Sequence, residues 1–252
     1  MYARAGRLEA GNAAVTAADG DGRGEVHGRM REEKPGRRRG MPEKRRAIMQ
    51  AARVVFGREG YSRASVDTIA DEAGVSKRTI YNHFADKEDL FHSVAMEGAH
   101  QVTEAIAQIM ERHLRKIVDL RDDLIDFATE RAAAVMDFPD HFALVRALEA
   151  EVTRIPPEML KDWREAGPQS GHVRLAPYLR RIADRGLLRF DDAEEAANHF
   201  NLLTITGVNQ RTFYGAVPIP ESETAHIVTS GVDVFLRLYG TEPERPARSD
   251  GS

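Results

Sequence analysis

Cysteine is absent from this 252-residue chain, which excludes disulfides, thiolate metal sites and cysteine nucleophiles. The absence fits a reducing compartment, and a cytoplasmic location is expected. No apolar run approaches the ~20 residues of a membrane-spanning helix, so no membrane partner is expected. The charged N-terminal stretch lacks the apolar core of a secretory signal. Strand-like alternation and regular repeats are missing as well. No P-loop, nucleophile elbow or G-x-G-x-x-G after a strand is present, so the Ser, His and Asp residues have no catalytic frame. No enzyme activity and no cofactor are expected. His92, Met96 and His100 share one helical face, but without a carboxylate at matching spacing they do not make a metal site.

The composition that remains, 42% hydrophobic and 30% charged, is that of an ordinary globular protein with a substantial core. The net charge of −4 hides an asymmetry. Residues 1–92 hold 18 Lys and Arg against 14 Asp and Glu, a surplus of +4, and residues 93–252 carry −8. A basic front on an acidic body suggests an anionic partner for the front.

Residues 1–41 are predicted to be a disordered basic tail, ending in Arg37-Arg38-Arg39-Gly40. That run is a solvated tail, an artefact of start-codon choice, or an arm adding phosphate or minor-groove contacts. From Pro42 to about Tyr239 the pattern is helical throughout, and residues 241–252 form a second disordered tail. Ile48, Ala52, Val55 and Phe56 fall on one face of a first helix, with Pro42 in its first turn and Gly60 as its stop. Ser65 caps a short second helix whose inward face is Val66, Ile69, Ala70 and Ala73. Gly74 breaks it and Ser76 caps a third. Asp86 and Asp89 open a long fourth helix that runs past Met110.

Further stripes follow: Leu120, Leu124, Phe127, Ala128 and Val135, then Phe142, Val145 and Leu148. Pro156-Pro157 ends that segment, and Pro168 to Gly171 reads as a loop. Leu175, Leu179 and Ile182 precede a stop at Gly186. Asp191 or Asp192 caps a helix carrying Phe200, Leu203, Gly207 and Val208, and a final helix carries Ile227, Val234, Phe235 and Leu238. The expected fold is all-α: a three-helix helix-turn-helix domain (42–92), joined by a long helix to a C-terminal helical bundle (93–240).

Residues 61–91, YSRASVDTIADEAGVSKRTIYNHFADKEDLF, carry the functional signal. Two short helices joined by a glycine-containing turn make a helix-turn-helix, and Gly74 supplies the left-handed backbone without a Cβ penalty. Ile80 and Phe84 point inward, which leaves Lys77, Arg78, Tyr81 and Asn82 on the outer face. Lysine and arginine reach guanine edges or phosphates, asparagine reads adenine, and a tyrosine hydroxyl binds phosphate. A charged outer face is ordinarily just solvated. Here the turn, the inward faces and the outer chemistry agree.

The stretch 43–92 resembles the TetR family signature. It supplies Ser65, Ile69-Ala70, Ala73-Gly74-Val75-Ser76, Tyr81-Asn82-His83-Phe84 and Lys87-Glu88 with Leu90 in register. Arg78 departs from the small residue common at that position, which bears on base preference. The resemblance implies that Tyr81 and His83 bind the phosphate backbone. It also implies that Lys87 holds a phosphate at the start of the fourth helix and Ser65 one at the start of the second. Lys77, Arg78, Thr79 and Asn82 become the candidate base readers, and Ser76 belongs to the same DNA-binding set. The alternatives are a packed histidine at 83 and a plain surface threonine at 79. Phe142 to Tyr214 is similar to the C-terminal domain of AefR-like regulators, through Arg146-x-x-x-x-Glu151, Trp163 with Gly167-Pro168, Gly186-Leu187-Leu188, and Asp191 to Phe200.

The family implies a homodimer on double-stranded operator DNA, paired through the last two long helices (192–212 and 222–239). Their small residues Gly207, Gly231 and Ala197 fit such a contact; a place in the monomer core is the alternative. It also implies a small-molecule inducer, of unspecified chemistry, within the C-terminal bundle. Met96, Phe127, Met136, Phe142, Trp163, Phe200 and Phe213 are the candidate linings, with core packing the alternative for each. Coupling is expected along Leu90 to His100 of the fourth helix. The expected function is a ligand-responsive repressor released by its inducer. The alternative is an activator or a ligand-independent regulator of the same fold.

Overall fold

A computed structural model describes residues 36–241. Eleven α-helices follow one another among them: α1 (Gly36–Glu59), α2 (Val66–Glu72), α3 (Lys77–Tyr81), α4 (Lys87–Leu114), α5 (Leu120–Asp137), α6 (Pro139–Ala150), α7 (Pro157–Ala166), α8 (Pro168–Asp184), α9 (Ala193–Asn201), α10 (Gly207–Thr212) and α11 (Glu221–Tyr239). A 3-10 turn, Val152–Arg154, precedes α7, and a π-helical stretch, Leu202–Thr206, fuses α9 to α10. No strand occurs among the described residues; an isolated bridge joins Leu188 to Gly240. The architecture is all-α, as the periodicity predicts.

The start of α1 and the start of α8 differ from expectation. Helix α1 begins at Gly36, so Pro42 stands inside it and not in its first turn. A proline there forfeits a single intrahelical bond, and the Lys-, Arg- and Ala-rich sequence that follows favours the helix enough to carry it. The rest of the predicted N-terminal tail, residues 1–35, and the C-terminal residues 242–252 lie outside the described part of the chain. Pro168 to Gly171 is not a loop but the first turn of α8, and Gly167 alone breaks the chain between α7 and α8. A proline at the first helical position has the φ a helix needs and no amide to leave unpaired.

Two hydrophobic cores hold the molecule. The first gathers Ile48, Val55 and Phe56 of α1, Ile69 of α2, Ile80 of α3, and Leu90 and Phe91 of α4. Phe56 and Phe91 meet edge to face at 5.0 Å, with Tyr61 at 4.9 Å from Phe91. This core does not stop at the end of the helix-turn-helix. Leu144 and Leu148 of α6 and Met159 and Trp163 of α7 complete it. Helix α1 crosses α6 closely: a Cβ on Gly57 would lie 3.0 Å from that of Ala143. The second core joins α4, α5, α8, α9 and α11, with Phe127 and Phe200 stacked at 5.7 Å and Phe200 edge-on to Phe235 at 5.1 Å. Helix α4 enters both cores, through Leu90 to Ala99 in the first and Ile109 to Leu114 in the second.

Candidate functional site

The DNA-facing unit is assembled by caps. Ser65 Oγ accepts the Thr68 amide at 3.0 Å and opens α2; Ser76 Oγ accepts the Thr79 amide at 3.2 Å and opens α3. Each satisfies a first-turn N–H that the helix itself leaves unpaired. Between them, Val75 N donates to Ala70 O at 2.9 Å and Gly74 N to Asp71 O at 3.1 Å. These are the paired bonds of a Schellman stop. The motif places Gly74 at φ +63°, and no atom crowds the space a Cβ would fill. The demand for glycine at 74 is therefore conformational, not steric. Asp86 Oδ1 accepts the Asp89 amide at 2.8 Å while Asp89 Oδ2 accepts from Ala85 N at 2.9 Å, a reciprocal cap that starts α4.

With Ile80 and Phe84 buried, one side of α3 faces out. Lys77, Arg78, Tyr81 and Asn82 are exposed, and Tyr81 offers 47% of its surface. Thr79 and His83 are half-buried beside them. Lys77 pairs with Asp67 of α2 at 2.9 Å, but both side chains are exposed and screened by solvent, so the pair does not withhold Lys77 from a phosphate. The sequence-predicted contact residues on α3 are thus brought together on one surface.

Lys87 is placed differently. Its ammonium donates to the carbonyls of Tyr61 (2.9 Å), Ala64 (3.3 Å) and Ser62 (3.4 Å), and sits 4.7 Å from the Tyr61 ring centroid. Three carbonyls and a ring face occupy its donors, so Lys87 ties the α1–α2 loop to the start of α4. Glu151 grips the other side of that loop through the amide and hydroxyl of Ser62, which hold its carboxyl below the usual range.

Behind this head lies a cavity of about 800 Å³, the size of a small-molecule site. Its wall takes Ala99, Val102 and Ile106 from α4, Val135 from α5, Phe142 from α6 and Ile205 from the π-helical stretch. Of the predicted lining residues, Phe142 and Trp163 stand in it. Phe127 and Phe200 are packed against each other in the second core, Met96 is half-buried on α4, and Met136 and Phe213 are exposed on the surface. Phe213 and Tyr214 close the C-terminus of α10 with left-handed backbone.

Sequence reasoning missed the polar wall: Arg131, His141, Asn201, Asn209 and Tyr214. A signal was available for Arg131. It follows Phe127 by four residues and Ala128 by three, and precedes Val135 by four, so the helical period puts a charge on the apolar stripe of α5. His141 is 6% exposed with Nδ1 unpartnered, and burial together with the Arg53 charge pushes its pKa down to about 4.

A helix-turn-helix with a solvent-facing polar recognition helix, set on a helical body with a cavity, defines a DNA-binding regulator. Residues 48–94 match the family of bacterial regulatory proteins of the tetR type, and residues 122–241 match the AefR-like transcriptional repressor C-terminal domain. A solved TetR-family regulator from Mesorhizobium loti shares 30% identity at a TM-score of 0.72, with 80% of this chain and 98% of that one covered. The flavonoid-responsive regulator FrrA gives 28% identity and a TM-score of 0.62, over 80% of this chain and 100% of its own. The repressor AcnR of Corynebacterium efficiens is 25% identical over 207 residues, 80% of this chain and 93% of that protein. The chain belongs to the TetR family and is a DNA-binding transcription regulator. No described helix is long and apolar enough to cross a membrane.

Proposed function

We propose that the chain is a transcriptional repressor that binds a near-palindromic operator as a homodimer and is released by a small-molecule inducer held in the cavity. The observation that carries this reading is the course of α4. Its first half is built into the core of the DNA-binding head, and Ala99, Val102 and Ile106 further along it line the cavity. A ligand that prefers one position of that helix shifts the head by its difference in affinity between the two states. Helix α6 gives a second connection, because it packs on α1 and presents His141 and Phe142 to the cavity. The flavonoid-responsive neighbour supports a sensing role for the body, and the AcnR relative supports repression.

On DNA, Lys77, Arg78, Thr79 and Asn82 read base edges, while Tyr81 and His83 hold phosphates. Ser65 and Ser76 order the two helix N-termini that approach the backbone. Two such heads reach half-sites about one helical turn apart, ~34–36 Å, or a multiple of it. The test is fluorescence anisotropy with the chain's own upstream DNA, together with a reporter under that promoter. Saturable nanomolar binding that weakens steeply with salt, and derepression on deletion of the gene, are expected. Loss of expression on deletion would make the protein an activator.

A further inference from the structure

The cavity contains a cation, Arg131, with no counter-ion among the described residues. Arg131 Nε is sealed from solvent and makes no hydrogen bond; Nη1 donates to the neutral amide oxygen of Asn201. Nη2 lies against Gly171 of α8, where a Cβ would stand 3.4 Å away, at ordinary contact distance. No carboxylate lies within ion-pair distance of Arg131 among the described residues. Burial lowers its pKa to about 10, so it still carries its charge at neutral pH. A buried, unpaired charge costs stability that a paired or apolar side chain would not. Arg131 as a whole is half-buried, one turn from each of the buried Phe127 and Val135 of α5.

The other ionisable groups on the wall set the charge of what would fit. Lys161, Arg164 and Glu165 are exposed where the cavity opens, and Glu149 is engaged by the Tyr214 hydroxyl at 2.6 Å. With Arg131, and apart from the two histidines His141 and His172, the wall has three cations against two carboxylates, a surplus of one positive charge. Beside the polar groups, the wall has apolar surface from Val102, Ile106, Val135, Phe142 and Trp163. A guanidinium fork matches a carboxylate in two parallel hydrogen bonds.

We propose that the cavity takes an apolar monocarboxylate, its carboxylate on Arg131 and its hydrocarbon or aromatic body against Trp163 and Phe142. This rests on the ligand-sensing reading of the cavity and specifies its ligand class. The body is held by burial alone, so it contributes affinity without strict shape. The carboxylate is the discriminating group, because a neutral analogue leaves the buried guanidinium unpaired.

Trp163 is the single tryptophan of the chain and lies in the wall, so its fluorescence reports occupancy directly. The experiment titrates the full-length protein with 4-phenylbutanoate and with 4-phenylbutanamide, which differ only in the charged group. The acid should bind at least about tenfold more tightly than the amide. Arg131→Met should remove that preference by weakening the acid alone, and Arg131→Lys should retain part of it. In the absence of ligand, Arg131→Met should melt at a higher temperature than the wild type, which also establishes that the variant folds. Equal affinity for acid and amide, no acid binding up to millimolar concentration, or a preference that survives Arg131→Met would overturn the proposal. Acid binding that leaves the operator complex intact would keep the carboxylate site and remove the inducer role, so the two readings fail separately.

Discussion

Tyr81 and Lys87 look alike in the sequence as phosphate ligands, and their surroundings separate them. Tyr81 keeps its hydroxyl in solvent on the open face of α3, whereas the Lys87 ammonium is spent on three backbone carbonyls. Tyr81→Ala should therefore weaken operator binding by ~1–2 kcal/mol, evenly across operator sequences, and leave the melting temperature unchanged. Anisotropy titrations on a set of operator variants, with a thermal melt, check both halves. Lys87→Met should do the reverse in stability: it leaves the carbonyls of the 61–64 loop unpaired and should cost ~1–3 kcal/mol in urea unfolding. A Lys87→Met protein as stable as the wild type would return that lysine to the phosphate-binding set. His141 adds a pH dependence. The unfolded chain protonates this histidine near 6.5, the folded one only near 4, so between these values the unfolded state binds more protons and stability falls as the pH falls. The gap corresponds to at most about 3 kcal/mol. Urea midpoints measured from pH 7 to 4 should decline, and His141→Leu should flatten that slope.

At the scale of elements, most of the frame was legible. Period, caps and glycine stops give α2, α3 and α4 nearly to the residue, because each end carries a local signal: Ser65, Ser76, Gly74, Asp86. The outer face of α3 was legible for the same reason, since two inward residues fix the rotation of so short a helix. The cavity was not legible. Aromatic residues mark apolar stripes, but periodicity cannot distinguish a stripe that closes on another, as Phe127 does on Phe200, from one that faces a void, as Phe142 does. The exposed Met136 and Phe213 lie near helix ends, where the period loses its grip. The small residues of the last helices were legible as close-packing sites but not as to which partner they meet. Gly207 lies beside Ile227, and a Cβ on Gly231 would overlap the carbonyl of Leu203, both within one chain. That contact seats α11 against the π-helical stretch, whose Leu202, Ile205 and Thr206 line the cavity. Gly231→Ala should push the two apart and cost ~1–3 kcal/mol, with a matching fall in the affinity of any cavity ligand. An unchanged urea midpoint would show that α11 can shift without loss.

For the whole molecule, the monomer uses its small residues internally, so an interface between two copies must be carried by what the last helices leave outside. Leu202 is 52% exposed and Leu238 63% exposed, and neither has a covering partner within the chain sufficient to bury it. Scattered apolar residues are ordinary on surfaces, but leucines on both of the helices that the family resemblance pairs across a two-fold axis supply the core a self-complementary contact needs. Leu202 also lines the cavity, so replacing it would confound assembly with ligand binding. Leu238 is the cleaner probe. Light scattering should give the wild type a mass twice the 28.1 kDa of the chain, and Leu238→Glu should shift the population to single chains at micromolar concentration, because it replaces two leucines of the symmetric patch by two carboxylates that the contact would have to bury. Operator affinity should then fall by at least about tenfold, because the second head no longer binds at the effective concentration the first provides. A Leu238→Glu protein that remains dimeric with undiminished operator affinity would move the interface off this face of α11. It would leave the recognition helix and the cavity as described, since neither depends on Leu238.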